Sequence, residues 1–168
     1  INKEKENNYH SVFTEYLNIV KQFIDILWDR KNIPSLLPKE ITDNITDTWL
    51  TQRAIQSAGK LASSIVRGTR QKQKQRLYIL KQLQKEGTQT KKIINLQRKI
   101  EKVNMSKPNI NDIHPELDSR FIEIDTNNNT SFDIWITLSS IGNKLKIPIP
   151  LKRTRVFNKW NELGKLKP

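Results

Sequence analysis

Glu123 and Asp125 stand two residues apart in RFIEID, so on a strand both carboxylates leave the same face, and Asp118 is near enough in sequence to join them. Acids grouped in this way hold Mg2+ for phosphoryl chemistry, and FIEID resembles the first strand of a metal-dependent nuclease. Local features oppose that reading. Arg120 is placed to pair with one of the acids, acids flanking a short strand commonly serve turns, and no further carboxylate follows in a fitting context. Other catalytic chemistries lack their residues. The absence of cysteine excludes disulfides, thiolate zinc sites and a thiol nucleophile. His10 and His114 are far apart, and neither has a recognisable serine partner. Gly59 and Gly68 fall inside a helical pattern rather than a phosphate-cradling loop. No catalytic residue, metal ligand or cofactor is therefore assigned to this chain.

Cations offer a second chemistry. The segment RGTRQKQKQR at 67–76 carries Arg67, Arg70, Lys72, Lys74 and Arg76 with no carboxylate among them. With 30 Lys and Arg against 17 Asp and Glu, the formal charge is +13, which favours a polyanionic partner and nucleic acid above all. The excess is segregated. Residues 51–105 hold 14 basic and 2 acidic side chains and residues 144–168 hold 8 and 1, whereas residues 1–50 and 106–143 are net acidic. This implies two docking surfaces, or two parts of one. Arg53, Lys60, Arg67, Lys74 and Lys81 recur every seven residues, and a heptad step drifts by only about 20° around a helix, so they form one stripe. A helix back that is merely solvated would serve Lys and Gln equally well, but such faces mix both signs, and here the acids are missing. Lys91 and Lys92 add charge where the chain turns back. Lys144, Lys146, Lys152, Arg153 and Arg155 interleave with a strand in KLKIPIPLKRTR. Gln71, Gln73 and Gln75 supply donors and acceptors for sugars or base edges.

The elements that must position these groups follow from periodicity. Tyr9, Val12, Phe13, Tyr16, Val20, Phe23 and Leu27 recur at three- and four-residue steps and predict a helix over about 5–30, which Pro34 and Pro38 end. A Thr46-Asp47 start signal predicts a second helix over about 46–85. Its apolar side is Leu50, Ala54, Ala58, Leu61 and Ile65, continued by Leu77, Leu80 and Leu83. Ala54, Ser57, Ala58, Ala62, Ser63 and Ser64 make part of this helix small-sided, so that protein or sugar-phosphate backbone can approach closely. Gly87-Thr88 predicts a turn, and Ile93, Leu96, Ile100 and Val103 a third helix over about 89–104, antiparallel to the second. After the polar link SKPNINDIHPELD, alternation replaces the helical period. Strands are expected over 120–125, 132–138 and 146–151, with TNNNTS at 126–131 as a hairpin loop and a short helix from RTRVFNKWNELGK. Pro148 and Pro150 limit the last strand to an edge. The expected fold class is α+β: a helical bundle with a long basic hairpin over 1–105, a linker at 106–117, and a small antiparallel β unit over 118–168, too short to close a barrel alone. No membrane partner is expected, since no apolar run approaches the roughly 18 residues of a span. No signal-peptide pattern is found at the start, and a cytoplasmic location is expected. No compact helix-turn-helix and no dimer seam is apparent, so a folded RNA suits the basic hairpin better than a DNA-reading helix does.

The stretch ELDSRFIEIDTNNNTSFDIWITLSSIGNKLKIPIPLKRTRVFNKW, preceded by TWLTQRAIQSAGKLASSIVRG, resembles the transposon-encoded TnpB proteins and their relatives, the compact type V CRISPR effectors. The likeness spans roughly residues 40–160 and rests on an FDxW-like strand, a hairpin and an IPIPLK-like strand. It implies a recognition lobe over residues 1–105 and, over 116–168, the later part of a wedge domain, an oligonucleotide-binding β-barrel. It further implies guide RNA and target DNA as partners, a bacterial, nucleoid-associated location, Phe132, Trp135, Ile147 and Pro148 as wedge core, and Lys152, Arg153 and Arg155 as RNA contacts. In such proteins base pairing reads the sequence while the polypeptide grips the backbone. The family's nuclease motif, acidic triad and zinc-ribbon cysteines do not occur here, so this chain alone is expected to bind rather than cut, Mg2+ belonging to a nuclease domain outside it. The alternatives are a helical module docking on an acidic protein and a metal-dependent nuclease using Glu123 and Asp125.

Overall fold

Residues 3–85, 91–103, 107–126 and 132–164 are described in a computed structural model of the chain. The Gly87-Thr88 turn, residues 127–131 of the expected hairpin loop, and the side chains of Tyr9, Val103 and Trp160 lie outside the described residues.

Apolar residues at three- and four-residue spacing give α1 (Lys3–Trp28) one buried stripe, Val12, Tyr16, Ile19, Val20, Phe23, Ile24 and Leu27. The Pro34–Pro38 loop separates it from a single turn, α2 (Lys39–Thr42). The third helix, α3 (Gln52–Lys85), is 34 residues long and therefore spans about 51 Å. Its first half packs on α1 through Ala54, Ile55, Ala58, Leu61, Ala62 and Val66, all buried. The small side chains of that half thus admit protein backbone: Ser63 donates to the Pro34 carbonyl, and a Cβ on Gly59 would stand 2.7 Å from Leu37 Cδ1. Its second half packs on α4 (Lys91–Val103), in which Ile93 and Ile100 are buried.

The start of α3 differs from the expected one. Thr51, not Thr46, caps the helix, its hydroxyl accepting the Ala54 N–H at 3.3 Å. Residues just before it are extended because they pair elsewhere: Leu50 bridges Gly142, the Thr51 N–H donates to the Ile141 carbonyl at 2.7 Å, and its hydroxyl to the Ser140 carbonyl at 2.8 Å. The approach is so close that a Cβ on Gly142 would lie 2.4 Å from the Trp49 carbonyl oxygen.

The chain is α+β. Strands β1 (Ile122–Asp125), β2 (Ile134–Leu138) and β3 (Ile147–Leu151) form one antiparallel sheet in the order β1-β2-β3, followed by α5 (Arg155–Leu163). The register places Ile122, Leu138 and Ile147 side by side, then Ile124, Ile136 and Ile149, so the apolar residues share one face. Pro148 and Pro150 sit on the edge strand, opposite Thr137 and Trp135. Ile147 is buried, whereas Phe132, Trp135 and Pro148 are half-buried, the two rings meeting edge-on at 5.8 Å. One hydrophobic core crosses the 106–117 segment: Phe121, Leu138, Ile141 and Ile147 belong to the same cluster as the α1 and α3 residues, with Ile113 and Leu117 packed against it. The Tyr16 hydroxyl pins that segment, donating to the Glu116 carbonyl at 2.8 Å and lying 3.3 Å from Ser57 Oγ. Burial pushes the Tyr16 phenol up to about 12.

Candidate functional site

An α-helix advances 100° per residue, so the heptad cations stay on the side of α3 opposite its alanine stripe. Arg53, Lys60, Arg67, Lys74 and Lys81 are all exposed. Over its 34 residues α3 contains no Asp or Glu, and Lys60 lies close enough to Asp118 for the two charges to interact. Asp118 is itself held by Arg120, whose guanidinium reaches both carboxylate oxygens and keeps the acid below its ordinary value. The five stripe cations are thus exposed, on a helix that carries no acid of its own.

Residues nominated together in RGTRQKQKQR separate in space. Arg70 is turned inward: its guanidinium donates to the carbonyls of Trp28, Arg30 and Lys31, the last at 3.3 Å, and so caps the C-terminal end of α1. A cation there complements unsatisfied carbonyls and the negative end of the helix dipole. Arg70 is thus a structural clamp, already occupied by backbone oxygens. Lys72 is exposed, but two residues from Lys74 is about 200° around the helix, which puts it on nearly the opposite side from the stripe, and Arg76 is half-buried.

The clamp has a consequence at the surface. By fixing the chain after α1 against α3 it brings Lys31, Asn32 and Ile33 beside Arg67, Gln71 and Lys74, which together line an open cleft of about 400 Å3. Four cations, the clamping Arg70 among them, and two amides line one concavity, which suits an oxyanion, with lysines acting as point charges and Arg67 able to offer paired N–H donors. Lys31 is missed by sequence reasoning because Asp25 and Asp29 cancel it in any local count, although its neighbours in DRKNIP are the residues a helix end requires. Tyr78 is likewise missed, although it keeps the stripe's spacing, seven residues beyond Gln71 and four beyond Lys74, and is 65% exposed.

The second basic region divides. Lys144 and Lys146 are exposed in the turn leading into β3, beside the start of α3, which Leu50 and Thr51 tie to residues 140–142. Lys152, Arg153 and Arg155 follow the other end of β3, about 17 Å away along a five-residue strand. Arg153 is partly engaged, its Nη2 donating to the Thr126 carbonyl at 3.3 Å and its guanidinium lying 5.9 Å from the Phe157 ring centre. Lys91 and Lys92 are exposed at the first turn of α4.

Of the acids, Glu123 and Asp118 are engaged by neighbours. Glu123 accepts the Ser139 hydroxyl at 3.2 Å, Asp118 is taken by Arg120, and among the described residues no three of His, Asp and Glu are grouped so as to hold a metal ion. No described helix is long and apolar enough to cross a membrane. No protein-family model, no curated protein and no solved structure matches the chain.

Proposed function

We propose that this chain binds nucleic acid along the outer face of α3, with the Lys31–Arg67–Lys74 cleft holding a backbone phosphate. The observation that carries the reading is an exposed, acid-free row of cations running the length of a long helix whose opposite face, in its first half, is committed to the core. Such a row follows a phosphate chain without reading its sequence, and each neutralised phosphate releases condensed counterion. The resemblance to TnpB proteins extends the proposal: the chain is the recognition part of an RNA-guided DNA endonuclease, gripping guide RNA and its heteroduplex with target DNA, and it binds without cutting. Lys144 and Lys146, beside the start of α3, prolong the same surface.

The test is binding of the purified chain to a structured RNA and to an RNA–DNA heteroduplex across a salt series. Affinity that falls steeply with salt supports the reading, and indifference to both ligands at low salt refutes it. A second reading, docking of the hairpin on an acidic protein, draws on the exposed apolar side chains Leu77, Tyr78, Ile79 and Ile94 at its far end. Partner capture that survives nuclease treatment distinguishes the two.

A further inference from the structure

We infer that Tyr78 is a stacking platform for an unpaired nucleobase, so that the far half of α3 engages single strands or loops rather than continuous duplex; this rests on the nucleic-acid reading above. Tyr78 is 65% exposed among Lys74, Gln75, Lys81 and Gln82, with the exposed Ile79 beside it, and an aromatic ring there adds nothing to the core. Its neighbours on that face are one turn away in each direction: Lys74 and Gln75 before it, Lys81 and Gln82 after it, all exposed. Lys74, Gln75, Tyr78 and Ile79 line a surface depression of about 470 Å3, the size of a small-ligand site. The arrangement supplies what single-strand recognition needs in one place. Cations on both sides meet successive phosphates, a flat ring meets the face of a base, and amides reach the base edge. A base inside a duplex is already stacked on both faces and offers no face to the ring. Because α3 carries no carboxylate, nothing on the helix repels the strand.

The experiment uses the whole chain with three fluorescent ligands of one length: a U-rich RNA, the DNA of the same sequence, and a blunt duplex. Tyr78→Ala is expected to weaken single-strand binding about 5- to 100-fold and to leave duplex binding unchanged, while Tyr78→Phe and Tyr78→Trp stay within about twofold of the parent. A 2-aminopurine in the strand is expected to be quenched by the parent and not by Tyr78→Ala. Equal RNA and DNA losses identify the base alone as the ligand, and a larger RNA loss adds the 2′-hydroxyl. If the parent binds single strands with a steep salt dependence and Tyr78→Ala matches it, or loses single strand and duplex alike, the stacking role is overturned while the phosphate-binding face stands. If the parent ignores all three ligands, both fall together.

Discussion

Replacing Arg67, Lys74 and Lys81 together by glutamine removes three charges from the outer face of α3 while keeping helix propensity and side-chain reach. A heptad step advances about 10.5 Å along the axis, and one strand of B-form nucleic acid presents a phosphate about every 3.4 Å, so successive stripe cations meet about every third phosphate. From Arg53 to Lys81 the stripe covers about 42 Å, enough for about 12 nucleotides. With Lys31 it offers six cations, and a single strand loses about 0.7 in log–log salt slope per neutralised phosphate, so the parent slope is expected near about −4. Between 50 and 200 mM salt, affinity should fall by a few hundredfold; with three cations gone the slope becomes about −2 and the loss about twentyfold. Fluorescence anisotropy with a 12-nucleotide strand across that range measures both slopes. The control is Lys21→Gln with Lys39→Gln, which lowers net charge at exposed positions of α1 and α2, off the stripe. An unchanged slope in the stripe variant, or the same loss per charge in the control, refutes the assignment: binding would then follow net charge and not this face.

Arg70→Gln has the opposite signature: loss of charged hydrogen bonds to three carbonyls is expected to cost about 2–3 kcal/mol and lower Tm, with the salt slope changed far less than by any stripe substitution, as thermal melts beside the anisotropy series would show. Because the folded chain holds the Tyr16 proton more tightly than the unfolded one, its contribution is fully present below pH 10 and is lost as pH rises from 10 towards about 12, a range worth about 2–3 kcal/mol. Denaturant titrations of parent and Tyr16→Phe check this, since the variant should lack that component of the alkaline loss. Gly142→Ala would press a methyl carbon into the Trp49 carbonyl, a backbone atom with little room to yield, and is expected to cost about 1–3 kcal/mol; Gly59→Ala presses on the flexible end of Leu37 and only touches the Phe23 ring at 3.4 Å, and should cost less, a difference that paired melts resolve.

What the sequence made legible was local. The apolar spacing of α1 and α3 and the alternation of β2 sit within one element, and period alone finds them. The start of α3 does not, because Thr46, Thr48 and Thr51 are all acceptable caps by type, and the choice falls to a pairing with residues 140–142, about 90 positions away. The stripe was legible for the same reason as the core: its regular step keeps five side chains in a row whatever the fold. Arg70 was not separable from Arg67 by type, since only the position of the end of α1 decides which guanidinium meets carbonyls. Lys31 reaches the cleft through that same contact, and no count along the chain anticipates it.

The two halves of α3 differ in how they are held: the buried residues Ala54 to Val66 lie in the first, and beyond Arg70 no residue of the helix is fully buried. Amide protons near Ala58 and Ala62 should therefore exchange only when the whole fold opens, while those beyond Leu77 are released by local fraying. A strand lying along the overhanging half would slow that fraying, so the footprint of a bound oligonucleotide can be read as a patch of retarded deuterium uptake without altering a single residue.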